Sequence, residues 1–360
     1  MKRWPVLMAG PGVPYGVVLG ISPWNAGLFT FTIKAAYALA AGNTVIIKPS
    51  ELAAVASLRY GEILSDILPP GVINVISGLG RDIGDALVSH EKVNKVSLTG
   101  SKPTAKAIAH ASSSDPKSLI FELGGKSPNI VFADADLEKA ANGVLNGIYT
   151  PNAGQICAAG SRILIQRSVF EEMLALLKTK MTSPGAVKFG DTLDTANNMG
   201  PVANKPQYDK VRAFLARGLE EGAELVFGGR SAGETLLPDQ PVFADGYWVE
   251  PTLFKTESNQ LSICQEEIFG PVAVAIPFDD EAEAIQIAND TEYGLAAGVW
   301  TNDLQRAHHM VEKIEAGSVW VNTYAMVGPD LPFGGLKGSG YGTDTVLEYT
   351  REKASVINFG

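Results

Sequence analysis

The chain has 360 residues, which exceeds the roughly 250–300 residues at which single hydrophobic cores stop growing, so two domains are expected. Hydrophobic residues make up 46% and charged residues 19% of the sequence, which is typical of a globular protein. The formal net charge of -10 argues against nucleic acid or an anionic membrane as a partner, because both attract concentrated Lys and Arg. A small-molecule ligand fits this composition better.

The cysteines and histidines exclude several kinds of site. Cys157 and Cys264 do not form a CxxC pair, so neither a disulfide framework nor a zinc site is indicated. The four histidines lack ligand-like spacing, and no metal is expected. The first residues lack the apolar run of a signal peptide, and no uninterrupted run of about 20 apolar residues is present to span a membrane. These features predict a cytoplasmic protein in a reducing compartment.

The first third of the chain alternates strand and helix patterns. Short runs rich in β-branched residues predict buried strands at 16–21, 44–49, 72–76 and 95–99. Apolar residues at helical spacing predict helices at 29–41, 52–68 and 82–89. Strands and helices that alternate at this spacing predict an α/β fold with a doubly wound parallel sheet.

Ligands of such sheets bind beyond the carboxyl ends of the strands. Polar and glycine residues stand at those positions, namely Trp24-Asn25, Lys48 to Glu51, Ser77 to Gly80, and Thr99 to Ser101. Ser101 followed by Pro103 marks a helix start whose N–H groups suit a phosphate. The spacing of Gly78, Gly80 and Gly84 is one residue off the dinucleotide fingerprint, and a simple turn explains these glycines equally well.

Glu122 stands between Phe121 and Leu123 at the end of the next predicted strand. A carboxylate in an apolar strand is costly unless it is paired, solvated or used, and we favour a functional role. The Gly-Lys-Ser sequence that follows imitates a phosphate-binding P-loop, but that motif needs a glycine where Ile120 stands. A P-loop is therefore excluded.

Cys157 lies among small residues, in the sequence Asn-Ala-Gly-Gln-Ile-Cys-Ala-Ala-Gly. Glycine and alanine leave room above the sulfur and allow a ligand to approach the backbone, which favours a reactive thiol. A cysteine can equally be a small buried hydrophobe, and from this segment alone both interpretations stay open.

The rest of the chain repeats the strand and helix alternation as a second α/β domain. Strands are predicted at 162–165, 272–276 and near 299–300, and helices at 169–181, 207–221 and 280–288. The glycine-rich stretch from Pro332 to Gly340 predicts a loop without regular structure.

Seven motifs together resemble the aldehyde dehydrogenase superfamily, in the family's order and through nearly the whole chain. They are PWN at 23–25, KPSE at 48–51, TGS at 99–101, ELGGKSPN at 122–129, GQIC at 154–157, EEIFGPV at 266–272 and PFGGLKGSG at 332–340. The resemblance implies a doubly wound cofactor domain at 14–123 and a second α/β catalytic domain at 124–340. The segments 1–13 and 341–360 are expected to serve oligomerisation, and the chain is expected to be an N-terminally short member.

By this resemblance the protein oxidises an aldehyde to the carboxylic acid with NAD, with NADP less favoured. Cys157 is the implied nucleophile, Glu122 the general base and Asn25 the oxyanion donor. The implied cofactor contacts are Ile21, Trp24, Lys48, Glu51, Gly80, Gly100, Ser101, Leu123, Glu267 and Phe269. A homo-oligomer, dimer or tetramer, is expected.

The implied substrate pocket includes Ala26, Ile156, Ala158 and Val327. Many relatives carry an aromatic residue where Ala26 and Val327 stand, so a wide pocket for a bulky or aromatic aldehyde is expected. Two other functions stay open: an inactive or structural relative, and a cysteine acyltransferase or hydrolase without a redox step. The intact Cys157, Glu122 and Asn25 oppose the first, and the absence of histidine near any motif opposes the second.

Overall fold

The computed structural model describes residues 6–9, 12–328 and 330–358. It divides into two compact units, the first made of 1–123, 329–334 and 340–360, and the second of 124–328 and 335–339. Parts of the segments expected to serve oligomerisation, at 1–5, 10–11 and 359–360, lie outside the described residues. The domain limits 14–123 and 124–340 stay predictions.

The helices and strands between residues 6 and 122 are, in chain order, β1 (Val6–Ala9), β2 (Gly12–Pro14), β3 (Val17–Ser22), α1 (Gly27–Ala40), β4 (Thr44–Pro49), α2 (Ala54–Ser65), β5 (Ile73–Val75), α3 (Gly80–Val88), β6 (Val93–Thr99), α4 (Lys102–Ala111) and β7 (Ser118–Glu122). Next come β8 (Pro128–Val131), α5 (Leu137–Ile148), β9 (Arg162–Gln166), α6 (Phe170–Thr182), α7 (Lys205–Glu220), β10 (Glu224–Phe227), α8 (Gly233–Leu236), β11 (Thr252–Lys255), α9 (Ser262–Gln265), β12 (Val272–Phe278), α10 (Glu281–Asn289), β13 (Tyr293–Gly294), β14 (Ala296–Trp300), α11 (Leu304–Lys313) and β15 (Ser318–Val321). The last strands are β16 (Leu336–Lys337), β17 (Gly340–Tyr341), β18 (Thr350–Glu352) and β19 (Ser355–Asn358).

The first unit is built on a six-stranded sheet of order β17-β7-β6-β3-β4-β5. Its strands are parallel except for β17, which pairs with β7 in the antiparallel sense. Apolar side chains pack on the sheet in two buried clusters that include Val18, Phe31, Leu19 and Val96. The predicted doubly wound parallel sheet is thus confirmed, because each strand buries β-branched residues under the helices that connect it.

The second unit holds a seven-stranded sheet of order β10-β11-β12-β9-β8-β14-β15. Only the edge strand β10 is antiparallel to its neighbour. The interior strand β12 is buried at every residue, as expected for a strand covered on both faces. The apolar core of the second unit contains Phe132, Phe254 and Phe278.

One expectation was wrong. The stretch from Pro332 to Gly340 is not free of regular structure, because β16 pairs with β13 in the second unit and β17 pairs with β7 in the first. Glycines at 338 and 340 suggested a loop, but strand pairing with distant segments supplies the backbone hydrogen bonds that the local sequence does not reveal. In the described part of the chain, no helix is both long and apolar enough to cross a membrane.

Candidate active site

In the first unit, the sheet brings most of the predicted cofactor residues to one edge. Strands β5, β4, β3, β6 and β7 are adjacent and parallel, so their carboxyl ends meet there. The predicted residues in or after these ends are Ile21, Trp24, Asn25, Lys48, Glu51, Gly80, Gly100, Ser101, Glu122 and Leu123. Ile21 of β3 is directly paired with Lys48 of β4 and with Leu98 of β6.

This edge has the features that a dinucleotide requires. Glu51 is exposed in a short 3₁₀ turn, where the Ser50 side chain accepts a hydrogen bond from the Leu52 N–H at 3.3 Å. Helix α3 begins at the exposed Gly80 without a side-chain cap, and open space lies where a Cβ would stand. A phosphate is stabilised by uncapped N–H groups at a helix start, and a carboxylate at a strand end accepts hydrogen bonds from ribose hydroxyls. The residues present therefore fit such a cofactor.

Glu122 is a buried acid of the first unit. Only 4% of the residue is exposed, and its Oε1 has no hydrogen-bond partner among the residues that the structure describes. Burial and, to a smaller extent, the charge of Asp344 raise the pKa of Glu122 to about 8, while the charge of Lys34 opposes the change. Near neutral pH the carboxyl is thus close to the point at which it can take up or release a proton.

The charges near Glu122 are held in a buried network. Lys34 of α1 donates to Asp344 Oδ2 at 3.0 Å and to Ser97 Oγ at 2.7 Å. Ser97 Oγ donates to Asp344 Oδ1 at 3.3 Å, and the Tyr349 hydroxyl donates to the same oxygen at 2.6 Å. Lys34 and Tyr349 are fully buried, so this network is screened little by solvent.

Cys157 of the second unit follows a turn with an unusual backbone. Asn152, Ala153 and Gly154 are consecutive left-handed residues, with φ of 53°, 51° and 70°. A Cβ at Gly154 would collide with the backbone of Gly270. Cys157 itself is partly exposed, so the accessible thiol is favoured over the buried hydrophobe that the sequence left open.

A buried amide holds this turn in place. Gln155 is 1% exposed, and its Nε2 donates to the Asn152 carbonyl at 2.9 Å. Its Oε1 accepts from the Ala203 N–H at 2.9 Å. Further along, the Tyr324 hydroxyl donates to the Ala158 carbonyl at 2.8 Å. These three hydrogen bonds fix the backbone on either side of Cys157, so the turn that carries the sulfur is held in one position.

Cys157 and Glu267 meet at a glycine pair. A Cβ at Gly125 would lie 2.5 Å from the Cys157 carbonyl oxygen, and one at Gly124 would collide with the Glu267 carboxylate. The Gly125 N–H donates to Glu267 Oε1 at 3.0 Å. Only glycine allows this close approach, so the second unit brings the thiol turn and the predicted cofactor carboxylate together.

Phe269 has a left-handed backbone, with φ of 60°. Such a conformation is rare for a bulky residue and needs support from its surroundings. Gln207 of α7 provides it, since its Nε2 donates to the carbonyls of Ile268 and Phe269 at 2.8 and 2.9 Å.

The predicted substrate residues occupy different environments. Ala26 precedes α1 in the first unit and is partly buried, while the neighbouring Phe29 is 54% exposed. In the second unit Val327 is 49% exposed, Ala158 is buried, and Ile156 packs against the apolar core. The pocket assignment of these four residues stays a prediction.

Sequence reasoning missed the partners of the predicted site residues. The sequence does indicate a buried role for Lys34, because this charged residue lies on the buried face of a helix beside Phe31 and Ala35. Asp344, Tyr349 and Gln207 carry no local pattern that would connect them to the site. Their partners are distant in the chain, and only the fold brings them together.

Comparison with known proteins agrees with this geometry. The sequence profile of the aldehyde dehydrogenase family matches residues 11–357. The chain belongs to this family. It is accordingly an oxidoreductase that acts on aldehyde groups with a nicotinamide cofactor.

Two relatives show the range of names in the family. A betaine aldehyde dehydrogenase of Sinorhizobium fredii strain NBRC 101917 / NGR234 is 44% identical over 353 residues, which is 97% of this chain and 70% of the relative. A phenylacetaldehyde dehydrogenase of Pseudomonas fluorescens is 41% identical over 353 residues, which is 96% of this chain and 68% of the relative.

Solved structures of aldehyde dehydrogenases also resemble the chain. An indole-3-acetaldehyde dehydrogenase in complex with NAD+ superposes with a TM-score of 0.92 at 40% identity, covering 100% of this chain and 72% of that one. The NAD+ complex of an aldehyde dehydrogenase from Bacillus cereus gives a TM-score of 0.92 at 38% identity, covering 99% of this chain and 70% of that one.

Proposed function

We propose that this protein oxidises an aldehyde to the carboxylic acid with NAD, through a thiohemiacetal and a thioester on Cys157. The observation that carries the proposal is Glu122, a buried acid whose pKa of about 8 suits a general base near neutral pH. The partly exposed Cys157, held on a rigid turn, supports the role of nucleophile.

In the first step Cys157 loses its proton to solvent and the thiolate adds to the carbonyl carbon, while the carbon–oxygen double bond opens and the oxygen becomes an alkoxide. The side-chain amide of Asn25 and the backbone N–H of Cys157 are the proposed donors to this oxygen. Removal of one such donor typically costs about 3 kcal/mol of transition-state stabilisation. When bound, NAD supplies the acceptor for the hydride that leaves the thiohemiacetal carbon.

In the second step Glu122 takes a proton from water, which then attacks the thioester carbon. The carbon–sulfur bond then breaks, the carboxylic acid leaves with the Cys157 thiolate restored, and Glu122 returns its proton to solvent. Ionised Glu122 is the active form, so thioester release is expected to rise with pH, with a midpoint near pH 8.

NAD is proposed over NADP because Glu51 is an exposed carboxylate at a strand end. A carboxylate there accepts from a ribose 2′-hydroxyl and repels a 2′-phosphate. Related structures were solved with NAD+, which supports this choice.

Formation of NADH with a panel of aldehydes tests the proposal. We expect the absorbance of NADH to rise only when aldehyde is present, with one equivalent of carboxylic acid formed for each NADH. Thioester hydrolysis or acyl transfer without NADH formation would instead indicate the reaction without a redox step.

For the substrate we propose a bulky or aromatic aldehyde. Ala26, just before α1, has only a methyl side chain, and an aromatic ring that fits beside it gains about 25 cal/mol per Å² of buried apolar surface. The names of the phenylacetaldehyde and indole-3-acetaldehyde relatives support this choice. The exposed Phe29 could fill the same space, and the measurement below decides between the two.

The test compares kcat/KM for benzaldehyde and acetaldehyde in the wild type and in Ala26→Phe. We expect benzaldehyde to be favoured in the wild type and the preference to fall in the variant. A wild-type preference for acetaldehyde, or an unchanged ratio in Ala26→Phe, would refute the wide pocket. Betaine aldehyde belongs in the same panel, because several relatives carry its name.

A further inference from the structure

Tyr324 connects the loop after β15 to the turn that carries Cys157. This turn is closed by the Ala159 N–H, which donates to the Ile156 carbonyl at 3.1 Å, so Cys157 and Ala158 are its two central residues. The Tyr324 hydroxyl donates to the Ala158 carbonyl at 2.8 Å. A side chain far along the chain therefore holds the turn one residue away from the thiol.

The ring of Tyr324 lies in a slot formed by glycines. A Cβ at Gly298 of β14 would stand 2.7 Å from Tyr324 Cδ2, and one at Gly147 of α5 would stand 3.0 Å from Cδ1. A Cβ at Gly160, just after the Cys157 turn, would stand 3.0 Å from the Tyr324 hydroxyl oxygen. Only glycine lets the ring lie this close to three backbone segments, so the slot fixes where the hydroxyl is placed.

The loop that carries Tyr324 is itself held on both sides of this residue. Asn322 has a left-handed backbone with φ of 55°, and its side chain anchors it to Thr301. The Asn322 Nδ2 donates to the Thr301 carbonyl at 2.8 Å, and the Oδ1 accepts from the Thr301 N–H at 3.1 Å. After Tyr324, the Met326 carbonyl accepts from Trp320 Nε1 at 2.8 Å. Tyr324 thus extends from a firm support to the Cys157 turn.

We propose that Tyr324 is a positioning residue for the Cys157 thiol: its hydroxyl holds the Cys157 turn against the loop after β15, so that the sulfur keeps the direction in which it attacks an aldehyde carbon. This inference rests on the proposed role of Cys157 as the nucleophile. Tyr324 acts through the backbone of Ala158 and not through contact with the aldehyde. A misplacement of about 1 Å can slow a reaction about 10²-fold, so a single hydrogen bond at this place matters.

Tyr324→Phe removes the hydrogen bond to Ala158 and keeps the ring that fills the slot. We expect the rate constant of the NADH burst to fall about tenfold or more, because the released turn lets the sulfur take directions that do not lead to attack. The Kd for NAD, measured by fluorescence titration, should not change, because the substitution leaves the predicted cofactor residues in place. A burst with the wild-type rate constant would overturn the inference.

Hydrogen exchange followed by mass spectrometry reports on the turn without any reaction. In Tyr324→Phe we expect the amides of residues 156–161 to exchange about tenfold faster, since loss of the hydrogen bond makes local opening easier. The amides of the interior strand β12 should keep their wild-type protection. Unchanged exchange at 156–161 would show that Tyr324 does not hold the turn. An equal acceleration in β12 would show a general loss of packing, and either result refutes the inference.

Tyr149→Phe is the matched control. Tyr149 is buried in the same unit, and its hydroxyl donates to the backbone carbonyl of Thr252 in β11, also at 2.8 Å. This substitution removes the same group from the same kind of hydrogen bond and leaves the Tyr324 hydroxyl in place, so the burst and the exchange at 156–161 should match the wild type. A loss as large as that in Tyr324→Phe would contradict a specific role of Tyr324.

Asn322→Gly loosens the loop without altering Tyr324. Glycine accepts the left-handed backbone, so this variant loses only the side-chain hydrogen bonds to Thr301. We expect the burst to slow less than in Tyr324→Phe, and the double variant to be little slower than Tyr324→Phe alone, because both changes act through one hydrogen bond. Should Tyr324→Phe fail to fold, a wild-type burst in Asn322→Gly would count against the inference.

Two outcomes separate the inference from the proposed function. If the wild type forms no NADH with any aldehyde, the proposed function fails, and exchange at 156–161 still decides whether Tyr324 holds the turn. If exchange rises in Tyr324→Phe while the burst keeps its rate constant, the proposed function stands and the inference fails, because Tyr324 then has a structural role alone.

Discussion

The two units hold their reactive groups by different physical means. In the first unit Glu122 is a side chain whose pKa is raised mainly by burial, with smaller contributions from the charges of Asp344 and Lys34. In the second unit Cys157 is partly exposed, and backbone shape at Gly125 and Gly154 sets its position. The difference teaches that the chemistry of Glu122 should respond to charge and pH, whereas that of Cys157 should respond to the addition of a single carbon atom.

The largest effect is expected for Cys157→Ala. Without the thiol no covalent adduct forms, so we expect no burst of NADH and no steady-state turnover above background. A single-turnover experiment with excess enzyme measures the burst. A burst of normal size in this variant would remove Cys157 from the mechanism.

Glu122→Gln should impair thioester release, the step assigned to the first unit, and leave thioester formation, the step assigned to the second unit. The thioester should still form with a burst of NADH, while its release should slow about 10²–10⁴-fold, the usual contribution of a general base. The burst and the following steady state are measured in one stopped-flow trace. Complete loss of the burst, as in Cys157→Ala, would contradict the assignment of Glu122 to thioester release.

Gly125→Ala should disturb the second unit through shape alone. The added Cβ would stand 2.5 Å from the Cys157 carbonyl oxygen, so the thiol turn must shift. We expect a slower burst and a loss of about 1–3 kcal/mol in the free energy of unfolding. Gly84→Ala is the matched control, because no atom lies within 4 Å of a Cβ there. Equal effects of both substitutions would show that the close approach at Gly125 is unimportant.

Lys126 offers a contrast with Glu122, since it is a buried charge without a network. It is 1% exposed, its Nζ has no hydrogen-bond partner in the described part of the chain, and burial lowers its pKa from 10.5 to about 7. The unfolded chain therefore binds the proton more tightly, and stability is gained as the pH rises from about 7 to 10.5.

Lys126→Met removes this cost. We expect the variant to be more stable than the wild type by about 1–4 kcal/mol near pH 7, with the difference shrinking toward pH 10.5. Denaturant unfolding across this pH range measures it. A lower stability of the variant at pH 7 would mean that the ammonium of Lys126 is compensated in the native protein.

The smallest effect is expected for Glu51→Gln, because Glu51 is exposed and solvent screens its charge. The ratio of kcat/KM for NAD to that for NADP should fall by roughly tenfold, since the repulsion of a 2′-phosphate is lost. A wild-type preference for NADP would contradict the proposed role of Glu51.

Much of the first unit was readable from the sequence. Each strand there is a short β-branched run, and the polar residues that follow it meet at one edge because parallel strands share their direction. The family motifs identified Cys157, Glu122 and Glu267 as candidates. Those features are local, so a sequence pattern is enough to reveal them.

Only the tertiary structure decided how these candidates are supported. Lys34 and Asp344 are 310 positions apart, and Gly125 and Glu267 are 142 apart. A hydrogen bond between such distant residues leaves no periodic signal in the chain. The protonation of Glu122 and the rigid placement of Cys157 depend on burial and on distant contacts, and both exist only after the chain has folded.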